Sequence, residues 1–506
     1  MFDVLVVGGG INGAGIARDA AGRGLRVALC EQHDLAAHTS SASSKLIHGG
    51  LRYLETGHFG MVRKSLQERE VLLRIAPHLV QPLSFVVPHV PHLRPAWLIH
   101  IGLWLYDRIG GRSSSLHRSR GLPLHGHALG APLRGPPSRG FVYADAQVPD
   151  ARLVIANAVD AAERGAQVWT RTRCVQAWRQ PDGWTLDLVR SDGTLHSVQA
   201  RALVNATGPW AGTFTADISL TAGPVLRLVQ GSHIVVPALF DHDHGYLLQQ
   251  PDGRVVFALP FEQDYTLVGT TDVEFEGDPA GVSIDAAQLD YLCEAVNRSF
   301  ARPISQQDVL WSFSGVRPLV DEPETIASRV PRDYQLQLDA QGAPLLNVIG
   351  GKLTTYRRLA EEAVDAIGAA IGRPDGAWTA TGSPLPGGEL GLSAAVETWL
   401  RDRWPWLPQR VARRWARSLG TRAGWIVQGA QSLDALGEHF GAGLYEAELR
   451  YLQQHEWART AEDVLWRRTW LGLQLDARQQ ARVADWFVTH AAAGRQCRGV
   501  DGHRHE

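Results

Sequence analysis

Lysine is almost missing from this 506-residue chain: of 50 Lys+Arg residues only Lys45, Lys64 and Lys352 are lysines. Cysteine is also scarce, and Cys30, Cys174, Cys293 and Cys497 stand far apart with no metal-ligand spacing. That argues against a disulfide scaffold or a cysteine-built metal centre, and the four read as reduced thiols in a cytosolic protein. The formal net charge of -2 lacks the basic excess that a nucleic-acid partner calls for. No apolar run is long enough to span a bilayer, which takes about 20 residues. The most apolar stretch, "PAWLIHIGLWLYDRIGG" at 95–111, is interrupted by His100, Asp107 and Arg108. The opening "MFDVLVVGGG" has no basic leader and its apolar run ends in glycines, so it reads as a strand and not as a signal peptide. No internal repeat is visible.

What is present is a globular composition, 44% hydrophobic and 20% charged, over a length that suits two or three domains. Arginine has taken nearly every generic cationic position. A lysine that persists against this bias is a candidate for work that needs a compact ammonium. Lys45 and Lys352 lie in non-periodic segments, whereas Lys64 falls on a helical pattern.

The first 34 residues read as a β-α-β unit, with strands at 2–7 and 25–31 around a helix of small residues at 12–23. Residues 57–76 are amphipathic and helical, ended by Pro77. Residues 112–140, rich in Arg, Ser, Pro, Gly and His, read as a loop or lid. A helix and several strands follow, with a turn at Asp192-Gly193 and a strand into "NATGPW". Residues 220–330 are strand-rich, and "LLNVIGGKLTTYRRLAEEAVDAI" supplies a last strand–turn–helix. "TATGSPLPGGELG" at 379–391 is a linker, and the remainder reads as helical with many Trp and Arg.

Gly8-x-Gly10-x-x-Gly13 follows the first strand and opens the helix, and Glu31 ends the second strand. Gly8 makes the tight turn, Gly10 admits a pyrophosphate to the backbone, and Gly13 allows close helix–strand packing. The helix N-terminus at Asn12 offers N–H groups and partial positive charge to that pyrophosphate, while Glu31 suits a ribose hydroxyl. Two further strand–glycine elements, ending at Gly208 and Gly351, lie far along the chain. Three such elements suit one extended cofactor, FAD, better than NAD.

Together, "GGGINGAGIARDAAGRGL", "SSASSKLIHGGLRYL", "NATGPW", "GSHIVVP", "GTTD", "SGVRPL" and "GGKLTTYRRLAE" resemble the bacterial, aerobic, quinone-linked, FAD-dependent glycerol-3-phosphate dehydrogenases. The C-terminal "YEAELRYLQQHEWARTAEDVLWRRT" resembles that family's helical domain. The likeness implies an α/β fold: a Rossmann-like FAD-binding domain of the glutathione-reductase/D-amino-acid-oxidase type, an antiparallel-sheet substrate domain and a C-terminal helical domain. The expected division is 1–380 for the oxidoreductase region and 381–506 for the helical domain. Within the first, FAD-binding parts fall at about 1–55, 150–215 and 330–375, and substrate parts at about 56–149 and 216–329.

The resemblance further implies non-covalent FAD, sn-glycerol 3-phosphate as substrate and dihydroxyacetone phosphate as product. Electrons would go to ubiquinone from a cytoplasmic protein held peripherally at the inner face of the membrane. An oxygen-using glycerol-phosphate oxidase and a non-catalytic flavin-binding sensor are the alternatives.

Holding a phosphate dianion calls for arginine forks or lysine, each charge-assisted bond contributing about 1.5–3 kcal/mol. Arg317 in "SGVRPL" is the leading clamp, Arg52 the second, and Lys352 either holds phosphate or faces the reduced flavin. His233 and His48 are the candidate bases because an imidazole titrates near working pH. Tyr53 and Thr270 are candidate donors to substrate. The cofactor-facing set is Gly8, Gly10, Asn12, Gly13, Glu31, Ser40, Ser44, Lys45, His48, Gly49, Gly208, Gly351, Lys352, Leu353 and Thr354. For residues 92–112, Trp97, Trp104 and Tyr106 beside Arg94, Arg108 and Arg112 suit an interfacial membrane contact, with a buried substrate-domain helix as the other reading. The Arg- and Trp-rich C-terminal domain is a second candidate surface, or the interface of a homodimer.

Overall fold

Phe2–Val7 is buried from Asp3 onward because it has parallel neighbours on both edges, Val27–Cys30 and Leu195–Asn205. This is the centre of the first sheet in the computed structural model, which describes residues 1–490 except 56, 91–93, 112–115, 136, 219–223, 321–332, 374–375, 377 and 380–381. Gln167–Trp169 and Leu345–Ile349 extend the sheet in parallel on either side, and Gln335–Asp339 closes one edge antiparallel. The N-terminal half of Leu195–Asn205 also pairs antiparallel with Gly183–Arg190, which pairs with Thr172–Gln180.

Small residues let the helices of this layer approach closely. Helix Ile11–Gly22 buries Ala14, Ala17 and Ala20. A Cβ on Gly15 would stand 2.8 Å from the Tyr356 ring, on helix Tyr356–Ala370. Arg18, also buried, reaches Asp160 of helix Asp150–Glu163 at 2.6 Å.

Among the described residues the second sheet has ten strands, antiparallel except where Gln81–Pro88 runs parallel to His244–Gln249. Its long strand Leu226–Pro237 is flanked by Trp311–Val320 on one edge and by Tyr265–Gly269 and Val273–Glu274 on the other. Helix Ala286–Ser299 covers it with Leu292, Ala295 and Val296 over a core of Ile234, Val236, Tyr246 and Phe300.

Three expectations change. Part of 112–140 is strand and not loop: Arg120–Pro123 pairs with Arg139–Gln147; residues 112–115 and 136 lie outside the described residues. Helix Ala96–Ile109 buries only Leu103 and Tyr106, so it is not a buried core helix. The unit from Pro386 onward is helical but carries a short hairpin, His439–Gly441 with Leu444–Tyr445, and a π-helical turn at Asp463–Arg468. The preceding compact unit is Met1–Leu385. Among the described residues no helix is long and apolar enough to cross a membrane.

Candidate active site

The three distant strand–glycine elements converge. Gly8, Gly10, Asn12, Glu31, Ser40, Gly208 and Gly351 all line one cleft of about 470 Å³. The reason is topological. Phe2–Val7, Leu195–Asn205 and Leu345–Ile349 are adjacent parallel strands, so the turns after them fall along one edge of the sheet. Gly8 has φ +112°, and a Cβ there would sit 2.4 Å from the Ala206 carbonyl oxygen. Gly13 stands behind the cleft, where a Cβ would be 1.9 Å from the Gly8 oxygen. The Ile11 N–H donates to Ser40 Oγ at 3.0 Å, and Asn12 Nδ2 donates to Gly350 O at 3.0 Å. Asn12 Oδ1 is buried with no hydrogen-bond partner among the described residues.

Segment 40–54 leaves this cleft and enters the second sheet. Leu46–Ile47 pairs with Ala146 and Gln147. The Gly49 N–H donates to Tyr106 Oη at 2.8 Å, and Gly50, at φ +77°, opens the turn Leu51–Leu54. Lys352 Nζ lies 4.2 Å over the Tyr53 ring, beside the bare Cα of Gly50. The next residues, Leu353–Thr355, form a short 3-10 turn, whose Thr354 Oγ1 accepts from the His48 N–H at 3.2 Å. Arg52 is half-buried on the same turn as Tyr53 and forms no ion pair among the described residues.

The other candidates gather across the strand Leu226–Pro237. His233 is opposite Gly269 on one side and Phe313 on the other. Its ring stacks on Phe313 at 5.0 Å and 16°, and a Cβ on Gly269 would lie 2.1 Å from it. His233 Nε2 is 2.8 Å from Ser44 Oγ, while Nδ1 is buried without a partner among the described residues. The His48 ring meets Phe257 edge-on, and Phe257 is itself opposite Gly269. Arg317 donates to Asp272 Oδ1 at 2.6 Å and to Thr270 Oγ1 at 3.3 Å.

Burial, reinforced by the Arg317 and Lys45 charges, holds the His233 imidazole well below its ordinary pKa of 6.5. The ring is neutral at physiological pH and stays neutral through the range where an exposed histidine titrates. Proton uptake by His233 is therefore expected to cause no loss of kcat/KM between about pH 7 and 6. An inflection in that range that vanishes in His233→Asn would contradict this. Stability carries the same sign. A histidine with a depressed folded pKa stabilises the fold above 6.5, and that contribution is lost as pH falls below it. His78, buried and pushed down to about 3, acts in the same direction.

One cofactor-facing expectation is corrected by geometry. Lys45 does not turn its ammonium to a pyrophosphate: Nζ is buried on Asp150 Oδ1 and Oδ2, at 2.9 and 3.0 Å, and on Ser41 O. Burial pulls its pKa down and Asp150 pulls it back up. Asp150 also accepts from Ser43, so it pins the serine loop to a helix start. Glu31 lines the cleft; its two oxygens accept the N–H groups of Gly9 at 2.7 Å and His33 at 2.8 Å, and each oxygen keeps a further lone pair for a ligand hydroxyl. Burial raises its pKa. Ser44 is engaged with His233. Asp150 and Asp272 escaped the sequence reading, although Asp272 lay inside the quoted motif "GTTD"; Tyr106, expected at a membrane contact, is instead buried, its hydroxyl accepting from the Gly49 N–H and donating to Asp145.

The profile of the family described as FAD dependent oxidoreductase matches residues 3–357. The chain belongs to that family. A second profile, the C-terminal domain of alpha-glycerophosphate oxidase, matches residues 379–492. Over 491 residues this FAD-dependent oxidoreductase is 54% identical to a glycerol-3-phosphate dehydrogenase of Pseudomonas aeruginosa, covering 96% of this chain and 95% of that protein. It is 48% identical to a D-erythritol 1-phosphate dehydrogenase of Brucella abortus (96% and 97% covered) and 48% identical to the aerobic glycerol-3-phosphate dehydrogenase of Escherichia coli (96% and 97%). The structure of a Bacillus halodurans glycerol-3-phosphate dehydrogenase complexed with FAD superposes with a TM-score of 0.76 at 25% identity, over 97% of this chain and 94% of that one.

The residues present fit FAD. The glycine turns give the backbone of the oxidoreductase a close approach to a ligand. The helix start at Ile11 supplies N–H groups for its phosphates, and the orphaned Asn12 Oδ1 is an acceptor awaiting a ligand donor.

Proposed function

We propose that this FAD-dependent oxidoreductase oxidises sn-glycerol 3-phosphate to dihydroxyacetone phosphate and passes the electrons to ubiquinone. The observation that carries the reading is that segment 40–54 meets both a lysine and a buried histidine: Lys352 Nζ lies over its Tyr53 ring, and its Ser44 meets His233, on which the Arg317 charge also acts. Bound FAD supplies the acceptor for the carbinol hydride. Arg317, Arg52 and Lys352 hold the phosphate dianion, and Tyr53 and Thr270 orient the hydroxyls. His233 is the group to which we assign the proton of the alcohol; its Nε2 shares a hydrogen bond with Ser44 Oγ, and its Nδ1 has no partner among the described residues. The names of the relatives support this substrate class.

Acceptor and substrate are tested together. The purified protein is expected to reduce a ubiquinone analogue with sn-glycerol 3-phosphate in the absence of oxygen, with little peroxide in its presence, and with a lower kcat/KM for D-erythritol 1-phosphate. Stoichiometric peroxide without quinone reduction would establish an oxidase instead, and a preference for erythritol phosphate would change the substrate.

For the membrane, the outer face of helix Ala96–Ile109 is the contact we propose. Trp97, Leu98, Ile101 and Trp104 are 65%, 43%, 52% and 51% exposed at helical spacing, and the Arg108 guanidinium lies 4.1 Å over the Trp104 ring. Aromatic rings beside a cation suit attachment to the acyl–headgroup boundary at the inner face. Trp97→Ser/Trp104→Ser is expected to abolish most co-sedimentation with anionic vesicles, leaving FAD content unchanged. Undiminished binding would move the contact elsewhere. The C-terminal unit, the alternative surface or homodimer interface, exposes an aromatic cleft with Trp399, Trp404 and Trp425.

A further inference from the structure

We propose that Asp272 is the positioning residue for Arg317, an inference that rests on reading Arg317 as a substrate contact. Arg317 and Asp272 belong to opposite neighbours of the strand Leu226–Pro237. Arg317 is on Trp311–Val320, opposite Val229, while Asp272 lies between Tyr265–Gly269 and Val273–Glu274. To meet, they must pass over the strand between them, and they do so at Gly231. A Cβ there would stand 2.3 Å from Arg317 Nη2 and 2.8 Å from Thr270 Oγ1, so any side chain would block the bridge. Over this gap Nη1 donates to Asp272 Oδ1 at 2.6 Å and Nη2 to Thr270 Oγ1 at 3.3 Å. Thr270 Oγ1 in turn donates to Thr271 O at 3.0 Å, which fixes its acceptor lone pairs.

Two consequences follow from charge and geometry. The guanidinium plane is set before any anion arrives, so binding need not also order a long side chain. The Asp272 carboxylate, on a side chain only 8% exposed, also offsets much of the arginine charge. An anion is then held in a defined orientation but less tightly than by an unpaired arginine. Asp272 thus trades affinity for alignment, and its removal separates the two.

Asp272→Asn keeps the shape and removes the charge. Its kcat for sn-glycerol 3-phosphate is expected to fall about 10-fold or more, with KM and the inhibition constant of inorganic phosphate unchanged or lower. FAD content and thermal stability should match the parent, and Asp272→Glu should recover part of kcat. Arg317→Ala is measured beside it. An unaltered kcat in Asp272→Asn with an impaired Arg317→Ala would overturn the role of Asp272 and leave the arginine contact standing. Parallel loss of kcat, FAD and thermal stability in Asp272→Asn would show a structural residue and overturn it also. Normal kinetics in Arg317→Ala would remove the reading beneath both.

Discussion

Arg317→Ala is expected to lower kcat/KM for sn-glycerol 3-phosphate by roughly 10- to 150-fold, the equivalent of one charge-assisted bond of about 1.5–3 kcal/mol. The loss should fall on substrate and not on cofactor. Arg317 sits on the second sheet, whereas the glycine turns of the cleft follow strands of the first. FAD occupancy should therefore be that of the parent. Some stability will be lost as well, because Asp272 is left with a buried charge and one partner fewer. Arg317→Lys is not a conservative control, since an ammonium cannot hold the Asp272 and Thr270 contacts in one plane. Near-parental kinetics in Arg317→Ala would take this residue out of the site.

Lys45→Ala is the second large effect, and it concerns stability. Both partners of the Lys45–Asp150 pair are almost completely buried, and removing the ammonium strands a carboxylate in the interior. A destabilisation of about 3–5 kcal/mol is expected, read from the denaturant midpoint of the holoenzyme. This result separates two roles for the lysine. Had Lys45 been a direct donor to the cofactor, its loss would weaken FAD binding and spare the fold at saturating FAD. As an anchor of the serine loop to helix Asp150–Glu163, its loss weakens the fold even when FAD is saturating. A change under about 1 kcal/mol would contradict the anchor role.

What the sequence made legible was local. The β-α-β unit is written in Gly8, Gly10 and Gly13 because each backbone requirement there acts over a few residues. The joining of Gly208 and Gly351 to the same cleft could be inferred because each ends an apolar strand, and parallel strands bring their ends to one edge. Pairings between distant residues were not legible. Lys45 meets Asp150 across 105 positions and Arg317 meets Asp272 across 45, and no spacing rule connects them. Asp150, at a helix start, reads as a residue favourable to the helix dipole and not as the partner of a lysine. Leu46–Ile47 is too short to show a strand period, which is why segment 40–54 read as irregular although it enters the second sheet. The side of helix Ala96–Ile109 that faces outward was equally hidden. Its residues are apolar nearly all round, a pattern that ordinarily marks burial, and only the packing of Leu103 and Tyr106 shows which side is covered.

The most direct test is to mix the purified, FAD-loaded protein with sn-glycerol 3-phosphate under anaerobic conditions and follow the visible flavin band. Bleaching on addition of substrate, followed by return of the colour when a quinone is supplied, is the predicted result. A flavin that stays oxidised with substrate present, or a polypeptide that takes up no FAD on reconstitution, would contradict the reading of this cleft and its cationic neighbours as one oxidising site.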